Sequence, residues 1–336
     1  DDMKIGVNAR FLAKPYTGIG KHTIQLFSEL AKQNPDDEFI FVTAEKVPTE
    51  IASEFPKNAE IVLLPEFSLG SAGIKKTAWE QIQLPQYFKK RGINLVHIPY
   101  PANFWFGFEK PVFVTVHDTI PWSFEAYQQG FLSRLYHKMA IKALNKAAHI
   151  FTVSQTSLDE IVNNFGVPRN KISISFNAIT DNFKVKADDV TKKNILKKYG
   201  IPLDQPFFLY LGGYDERKNV RTLLNAFNTV IAQKYNYNLV LGGGKILNKK
   251  LYESYDVADN LLLHQPGKIL GKTIKTGFID EKDLPAIYQA AEVFVTMSFQ
   301  EGCNLPLLEA VASGTAIIAS DLAVHHEMVG EIPAYF

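Results

Sequence analysis

The stretch Glu301-Gly302-Cys303-Asn304-Leu305-Pro306-Leu307-Leu308-Glu309-Ala310 follows a short apolar segment, Val293–Thr296, and leads into a segment with helical character, Leu307–Ser313. Pro306 fits the first turn of such a helix, where the missing backbone N–H costs nothing. A second apolar segment, Ala316–Ala319, follows directly. A strand, a helix and a second strand in this order predict a parallel sheet with a helical crossover.

The same alternation runs through the whole chain. Short segments rich in Val, Ile, Leu and Phe are separated by amphipathic segments of helical length, which is typical of buried parallel sheets. The predicted strands are Lys4–Ala9, Glu38–Thr43, Glu60–Leu64, Asn94–Ile98, Pro111–His117, His149–Val153, Lys171–Ser175, Phe207–Leu211, Asn238–Leu241, Thr273–Thr276, Val293–Thr296 and Ala316–Ala319. The predicted helices include Lys21–Lys32, Lys76–Lys90, Leu132–Asn145, Gln155–Phe165, Val220–Ala232, Glu281–Ala290 and Leu307–Ser313.

This pattern predicts an α/β fold with two Rossmann-like, doubly wound parallel-sheet domains that face each other across a cleft. The chain has 336 residues, which is too long for one ordinary core. The polar stretch Thr180–Lys193 interrupts the alternation, so we predict domains at residues 1–190 and 191–336. In such sheets ligands bind beyond the carboxyl ends of the strands, where the motifs described below are expected to lie.

Composition narrows the functional classes. The net charge of +1 provides no field that favours nucleic acid. The single cysteine, Cys303, excludes an internal disulfide and suits a reducing cytosol. No apolar run approaches about 18 residues, and we expect no secretory signal because the N-terminal residues run straight into an apolar strand. We therefore expect a cytoplasmic protein without a nucleic-acid partner, and the sequence leaves its oligomeric state open.

A loop after one predicted strand carries two adjacent cations, Arg217 and Lys218. The strand before it ends in Gly212-Gly213, and glycine lets a backbone approach a ligand closely. An arginine fork beside a lysine point charge suits a diphosphate. A solvated helix N-terminus is the alternative explanation, although cations there oppose the helix dipole.

The stretch from Glu301 to Glu309 complements these cations. The free N–H groups in the first turn of a helix bind anions, and the two carboxylates can accept hydrogen bonds from sugar hydroxyls. A phosphate site flanked by carboxylates is the chemistry that a nucleotide-sugar requires. Together, the two loops predict a site for such a ligand.

Two glycine-containing turns could add backbone contacts. Thr17-Gly18-Ile19-Gly20-Lys21 opens a helix after the first strand, but the third glycine of a dinucleotide motif is absent. A plain tight turn is nearly as good an interpretation of Gly18 and Gly20 as a contact with donor phosphate or acceptor. Gly277-Phe278 follows another strand, and we expect its backbone to lie against the nucleobase.

Two histidines end apolar strands. His117, in Thr115-Val116-His117-Asp118, could donate to a sugar hydroxyl or move a proton near neutral pH. A buried histidine satisfied by the backbone is the alternative. His97 has no polar neighbour of this kind, so we predict a structural role. No spacing indicates a metal site and no Asp-x-Asp motif occurs, so we expect neither a metal nor a cofactor.

Peripheral contact with the cytoplasmic membrane face is left open by two segments. Asn103-Phe104-Trp105-Phe106-Gly107-Phe108 is an aromatic cluster, for which packing between sheet and helix is the default interpretation. Contact with a hydrophobic acceptor or with a membrane surface is the more specific alternative interpretation. The segment Leu132–Lys146 carries cations at roughly helical spacing, which is usually a solvated face.

These motifs together resemble the retaining glycosyltransferases of family four, which have the GT-B fold. The resemblance covers nearly the whole chain. It rests on the glycine-rich start after Asn8-Ala9-Arg10, the Thr-Val-His-Asp strand end at 115–118, the Thr-Val-Ser helix start at 152–154, the loop ending in Arg217-Lys218-Asn219, the Thr-Gly-Phe sequence at 276–278 and the Glu-x7-Glu element at 301–309.

The resemblance implies a role for each motif. It implies that Arg217 and Lys218 bind the donor diphosphate beside Gly213, that Glu309 accepts from the ribose hydroxyls and that Glu301 meets the transferred sugar. It further implies that His117 contacts the sugar near the reacting carbon. The backbone at residues 303–305, which are Cys303, Asn304 and Leu305, would lie near sugar and phosphate.

Two departures from the family pattern bear on these roles. An aromatic residue and a glycine often follow Glu-Gly in the family, so the side chains of Cys303 and Asn304 are expected to narrow the pocket or change the choice of sugar. Family members usually continue through a final helix that packs back onto the first domain, whereas this sequence ends at Phe336, so either that segment is missing here or the closure is made differently.

The expected reaction is a retaining, metal-independent transfer of a hexosyl group, mannosyl or glucosyl in type. The donor would be a GDP- or UDP-linked sugar, and the acceptor a hydroxyl of a glycan or of a lipid-linked sugar. The sequence shows no convincing carboxylate nucleophile in the first domain, which disfavours a double displacement. A nucleotide-sugar epimerase of the same fold and a non-catalytic nucleotide-sugar-binding protein remain as alternatives.

Overall fold

The computed structural model describes residues 2–68, 70–104, 108–124, 130–243 and 271–336. The chain divides into two compact units, Asp1–Asn177 (unit 1) and Ala178–Phe336 (unit 2). This boundary precedes the predicted one between residues 190 and 191, because Phe183 is buried in the core of unit 2 and packs against Tyr288. Of the predicted aromatic cluster, residues 105–107 lie outside the described residues.

Unit 1 contains a seven-stranded sheet in the order β3-β2-β1-β4-β5-β6-β7, in which every strand pair is parallel. Each of its predicted strands is confirmed to within one residue at either end. The strands are β1 (Lys4–Asn8), β2 (Glu38–Thr43), β3 (Ala59–Leu63), β4 (Leu95–Ile98), β5 (Val112–Val116), β6 (His149–Thr152) and β7 (Ile172–Ile174).

Helices and their buried side chains flank this sheet, and two hydrophobic clusters fill the space between sheet and helices. The helices are α1 (Gly18–Gln33), α2 (Thr49–Ala52), α3 (Ala72–Ala78), α4 (Leu84–Arg91), α5 (Ile120–Ser123), α6 (Phe131–Lys146) and α7 (Gln155–Phe165). Ser154 caps α7 as predicted, because its hydroxyl accepts from the Ser157 N–H at 3.0 Å.

The predicted helix at 76–90 is interrupted. A π-helical turn, Trp79–Gln83, joins α3 to α4. Such turns insert an extra residue into the helix and are frequent at functional sites. Here the turn carries the buried residues Trp79 and Glu80.

Unit 2 contains a six-stranded parallel sheet in the order β10-β9-β8-β11-β12-β13. The five predicted strands are again confirmed to within one residue, and the two-residue β13 was not predicted. The strands are β8 (Phe207–Leu211), β9 (Asn238–Gly242), β10 (Thr273–Gly277), β11 (Val293–Thr296), β12 (Ala316–Ala319) and β13 (Ala334–Tyr335).

The described helices of unit 2 pack on this sheet through two hydrophobic clusters. They are α8 (Asp189–Lys198), α9 (Val220–Ala226), α10 (Ala232–Lys234), α11 (Leu284–Ala290), α12 (Leu305–Ser313) and α13 (Ala323–Val329). A second π-helical turn, Phe227–Ile231, joins α9 to α10, and a 3₁₀ turn, Glu216–Lys218, precedes α9. Across the described ranges of both units, no helix has the length and apolar character needed to span a membrane.

Candidate functional site

Two loops of unit 2 meet where its strand order reverses. The sheet order places β8 beside β11, although more than 80 residues separate the two loops that follow them. Doubly wound sheets bind ligands at such a switch point, beyond the carboxyl ends of the strands. The loop after β8 carries Arg217 and Lys218, and the loop after β11 carries Glu301.

The structure brings the two predicted cations into direct contact with the first predicted carboxylate. Arg217 Nη1 donates to Glu301 Oε2 at 2.7 Å, and Lys218 Nζ donates to Glu301 Oε1 at 2.5 Å. Ser298 Oγ donates to the same Oε1 at 2.7 Å. Glu301 is 5% exposed, so the carboxylate has left water and depends on these partners.

The backbone explains why both cations point to one carboxylate. The 3₁₀ turn Glu216–Lys218 ends at Asn219, whose φ of 53° lies in the left-handed region. Asparagine tolerates this conformation better than most residues because its short polar side chain bonds locally, and here it accepts from Thr222 Oγ1 at 2.6 Å. Arg217 is further fixed by an ion pair from Nε to Asp215 Oδ2 at 3.0 Å.

The charges determine the protonation state of this carboxylate. Burial alone would raise the pKa of Glu301, but the charges of Lys218 and Arg217 outweigh it and lower the pKa to about 2. Glu301 is therefore ionised at neutral pH. The cluster of Arg217, Lys218 and Glu301 holds two cationic donors ready for an anion, with the carboxylate occupying part of their hydrogen-bonding capacity.

The second predicted carboxylate lies in the helix that follows. Glu309, on α12, is 5% exposed and accepts from Tyr288 Oη on α11 at 2.8 Å. The backbone carbonyl of Tyr288 accepts from Thr315 Oγ1 at 2.7 Å, and this bond fixes the position of Tyr288. The hydroxyl of Tyr288 therefore occupies one oxygen of the carboxylate that is predicted to meet the ribose.

The side chain of Asn304, which immediately precedes α12, is directed into the interior of unit 2. It is 1% exposed, and its amide nitrogen donates to Thr296 Oγ1 at 3.0 Å and to His325 Nε2 at 3.2 Å. The Asn304 backbone N–H lies 3.4 Å from Met328 Sδ, which is a weak acceptor. The predicted narrowing of the pocket by this side chain therefore does not follow from its position.

The remaining predicted donor residues of unit 2 lie around these loops. The Gly213 carbonyl accepts from Tyr210 Oη at 2.5 Å. Gly277 ends β10 with a φ of 68°, and Phe278 beside it is 41% exposed. Cys303 and Leu305, on either side of Asn304, are half-buried. Their predicted contacts with a donor remain predictions.

Gly18 and Gly20 of unit 1 differ in what their backbone can offer. Gly18 is exposed and nothing would lie within 4 Å of an added Cβ, whereas a Cβ on Gly20 would lie 2.3 Å from the Lys14 carbonyl oxygen. The Gly20 N–H is already bonded to the Thr17 hydroxyl at 3.1 Å, which caps α1. Close packing against the preceding loop thus explains Gly20 without a ligand.

His117 of unit 1 lies one residue beyond β5. Its Nε2–H donates to the Pro99 carbonyl at 3.1 Å, and its ring packs edge-on against His22 at 4.6 Å between centroids. Burial and the neighbouring His22 lower the pKa of His117 to about 3, so the ring is neutral. This contact matches the alternative of a histidine satisfied by the backbone, and the contact with a sugar remains a prediction. His97 is buried and bonded to Thr115 Oγ1, in line with a structural role.

Four residues near the predicted site were not identified from the sequence. Ser298 and Tyr288 bond the two carboxylates, His325 bonds Asn304, and Phe299 is 57% exposed beside the cluster while its N–H donates to the Arg217 carbonyl. Only Ser298 carried a usable signal, because it follows β11 three residues before Glu301. Within the described residues, no group of three or more His, Cys, Asp or Glu is arranged for a metal ion.

Comparison with known proteins identifies both halves of the chain. Residues 16–183 match the sequence profile of Glycosyltransferase Family 4, and residues 191–332 match that of Glycosyl transferases group 1. Relatives include the O-antigen chain mannosyltransferase B of Escherichia coli, 30% identical over 65% of this chain and 55% of its own length. Another is the O-antigen chain mannosyltransferase RfbU of Salmonella typhimurium, 28% identical over 64% of this chain and 54% of its own length. The aligned regions thus span about half the length of these relatives.

Solved structures show the same fold. Anabaena Alr3699/HepE in complex with UDP and glucose superposes with a TM-score of 0.71 at 13% identity, covering 98% of this chain and 83% of that one. WaaG, a glycosyltransferase involved in lipopolysaccharide biosynthesis, superposes with a TM-score of 0.66 at 17% identity, covering 96% and 82%. The two parallel-sheet units and these likenesses identify the GT-B fold. The profile match over half of the sequence shows that this chain belongs to glycosyltransferase family 4.

Proposed function

We propose that the protein is a retaining hexosyltransferase that takes a mannosyl or glucosyl group from a nucleoside diphosphate sugar. The observation that carries this proposal is the charged cluster at the switch point of unit 2, in which the half-buried Arg217 and Lys218 contact the buried Glu301. Two adjacent cations with low exposure are costly unless an anion satisfies them. A diphosphate would offer Arg217 and Lys218 more acceptor oxygens than the carboxylates of Glu301 and Asp215 do.

Donor binding would redistribute the contacts of this cluster. The diphosphate would take Nζ of Lys218 and an Nη nitrogen of Arg217, while the ion pair with Asp215 keeps the guanidinium in place. Glu301 would then be released to accept from hydroxyls of the transferred sugar. As the glycosidic bond breaks, negative charge builds on the leaving diphosphate, and both cations would stabilise it.

The first turn of α12 would contribute to the same stabilisation. Its N-terminus lies four residues after Glu301 and provides the positive end of the helix dipole. Glu309, further along the helix, would accept from the ribose hydroxyls beside its bond from Tyr288. These positions would place sugar, phosphate and ribose along one segment of chain, residues 301–309.

Retention without a metal is the chemistry that we assign to this site. The two cations and the helix N-terminus would take the role that a metal has in other transferases. Because the sequence shows no convincing carboxylate nucleophile in the first domain, the acceptor hydroxyl would attack from the face that the phosphate leaves, and a phosphate oxygen would take its proton. The names of the O-antigen relatives support a mannosyl donor and a glycan acceptor.

A panel of sugar nucleotides provides the first test. The panel contains GDP-mannose, UDP-glucose and their free nucleotides. We expect the true donor to raise the melting temperature of the protein more than the others do, because a ligand that binds only the native state stabilises it. The stabilising donor should then support transfer to a glycan acceptor with retention of configuration, in the presence of EDTA. A new stereoisomer of the donor in the absence of an acceptor would indicate the nucleotide-sugar epimerase, and binding without turnover would indicate the non-catalytic nucleotide-sugar-binding protein.

Variants of the cations test the mechanism. Lys218→Ala and Arg217→Ala should each lower kcat by about 10²–10³-fold, the scale of one lost transition-state donor. Lys234→Ala, at an exposed lysine of the same unit, is the matched control and should leave kcat unchanged. Full activity in both cation variants would overturn the proposed role of the cluster.

A further inference from the structure

His325 is a fully buried histidine for which the proposed reaction has no direct use. It lies on α13 and is 0% exposed. Its Nδ1 lies 2.8 Å from the Ser320 carbonyl oxygen, and its Nε2 lies 3.2 Å from the Asn304 amide nitrogen. One side chain thus connects the loop after β12 with the residue that starts α12.

The two contacts of His325 require one tautomer. A carbonyl oxygen only accepts, so Nδ1 must carry the proton that it donates to Ser320. Nε2 is then an acceptor and takes a hydrogen from the Asn304 amide, whose second hydrogen goes to Thr296 Oγ1. The Asn304 Oδ1 is buried without a hydrogen-bond partner. The two bonds of the amide nitrogen are therefore what holds this side chain in its orientation.

A second path leads from Ser320 to the charged cluster. Ser320 Oγ donates to the Ser298 carbonyl at 2.8 Å, and Ser298 Oγ donates to Glu301 Oε1 at 2.7 Å. The residue that His325 holds through Nδ1 is therefore bonded to the residue that holds Glu301. His325 supports both ends of the turn 301–305, one through Ser320 and Ser298 and the other through Asn304.

We propose that neutral His325 is a positioning residue that keeps the turn 301–305 in the conformation that binds the donor. The proposal rests on the proposed function of this turn. Protonation of His325 would place an N–H of the ring against an N–H of the Asn304 amide, and two donors repel. The Asn304 amide would then have to rotate so that its oxygen faces the ring. This rotation removes the bond from the amide nitrogen to Thr296 Oγ1, unless the Thr296 hydroxyl becomes the donor. The start of α12 would shift as a result.

Charged and titratable groups around His325 determine the pH at which this occurs. Burial lowers the pKa of His325, the Ser320 carbonyl and Glu301 act in the opposite direction, and Lys218 and His326 lower it further. The neutral form therefore dominates at neutral pH, and its loss is expected below the usual histidine value of 6.5. The value of kcat over KM for the donor should therefore fall as the pH drops below 6.5.

Two substitutions separate the contacts of His325. In His325→Asn the new amide can still donate to Ser320 but nothing reaches Asn304, so we expect kcat over KM for the donor to fall by about tenfold, as for one unsatisfied buried N–H. In His325→Gln the side-chain oxygen can take the place of Nε2 and accept from Asn304, while the bond to the Ser320 carbonyl is lost and Ser320 keeps its own bond to Ser298. This variant should stay within about threefold of the wild type at neutral pH.

A double-mutant cycle shows whether His325 acts through Asn304. His325→Asn should have no further effect in an Asn304→Ala background, because the amide that it supports is already absent. A purely structural role would lower activity by the same factor in both backgrounds. The acid limb of the profile of kcat over KM against pH should disappear in His325→Gln and persist in His326→Gln, whose histidine is the half-buried neighbour on the same helix.

The single cysteine provides a readout that does not depend on turnover. Cys303 lies in the turn next to Asn304, so the rate of its modification by a thiol reagent reports the order of residues 301–305. His325→Asn should raise this rate about tenfold, and His325→Gln should leave it near the wild-type value. An unchanged rate in His325→Asn would overturn the inference, whereas an absence of donor binding in the wild type would overturn only the proposed function.

Discussion

Two buried carboxylates, one in each unit, have pKa values that are shifted in opposite directions. Glu301 of unit 2 is 5% exposed and has a pKa lowered to about 2. Glu80 of unit 1 is 2% exposed and has a raised pKa, of which burial is the main cause. The difference lies in the partners, because Glu301 contacts two cations within 2.7 Å, whereas the cation of Lys76 lies 3.7 Å from Glu80.

The hydrogen bonds of Glu80 come from neutral groups. Tyr100 Oη donates to one carboxylate oxygen at 2.9 Å, and Tyr136 Oη donates to the other at 3.1 Å. Neutral donors stabilise a buried carboxylate less than cations do. Burial by itself therefore does not indicate an ionised site. A cluster that keeps its charge inside the protein is the better candidate for binding a charged ligand.

Removal of the Glu301 charge should have the largest effect. Glu301→Gln leaves the half-buried Lys218 and Arg217 opposite a neutral amide, with Asp215 still paired with Arg217, so we expect the free energy of unfolding at pH 7 to fall by about 3 kcal/mol. Urea denaturation measures this loss. Added pyrophosphate should restore part of it in the variant, because the anion takes the place of the carboxylate, and a loss as small as that of a surface substitution would contradict the comparison.

The pH dependence of that loss provides an internal control. A group with a lowered folded pKa contributes stability that is present above its unfolded value of 4.5 and is lost as pH falls through about 2. The difference in unfolding free energy between wild type and Glu301→Gln should therefore shrink between these two values. A difference that stays constant across this range would indicate packing rather than charge.

Glu80→Gln should have a smaller effect with the opposite dependence on pH. The amide can keep one tyrosine bond and disturbs the other, which costs about 1.5 kcal/mol. Because the folded pKa of Glu80 is raised, its protonated form adds stability that is present below the unfolded value and is lost as pH rises through the folded one. Wild type should thus lose stability relative to the variant over that rise, and a gain would contradict the assignment.

The sequence predicted the strands of both units because each is a short apolar run bounded by turn residues. It also predicted that Arg217, Lys218 and Glu301 converge, since parallel strands bring their carboxyl ends to one edge. It did not predict β13, whose two residues carry no pattern, or the π-helical turn at Trp79–Gln83. That turn places Glu80 against Tyr100 and Tyr136, which are contacts with distant parts of the chain.

The details of the candidate site depended on tertiary contacts in the same way. The sequence assigned Arg217 and Lys218 to a diphosphate, but it could not show that Glu301 pairs with both in the absence of one. Asn304 was expected to line a pocket, and it turns inward because Thr296 and His325 satisfy its amide. Spacing along a chain identifies which loops meet, whereas the direction of each side chain depends on what surrounds it.

Tyr288→Phe extends the comparison to a carboxylate whose described partner is neutral. The change removes the hydroxyl that donates to Glu309 Oε2 at 2.8 Å while leaving the ring in place. We expect the free energy of unfolding to fall by about 1 kcal/mol, the value of one hydrogen bond. KM for the donor should rise a few-fold if Glu309 meets the ribose, with kcat unchanged. A larger fall in stability than in Glu80→Gln would place Glu309 with the charge-dependent sites.

His326→Gln should have the smallest effect, because it tests an ionic cluster whose two carboxylates are exposed. His326 contacts Asp321 Oδ1 at 2.7 Å and Glu331 Oε1 at 2.9 Å, and both carboxylates raise its pKa. A raised histidine pKa adds stability that is present below the unfolded value and is lost as pH rises through the folded one. The melting temperature of the wild type should therefore exceed that of the variant at pH 6 and match it at pH 8.5.

Salt should reduce this difference in melting temperature, because exposed charges are screened, whereas the loss of stability in Glu301→Gln should persist in salt. An effect at His326 as large and as resistant to salt as that at Glu301 would mean that burial is not what gives the Arg217–Lys218–Glu301 cluster its strength.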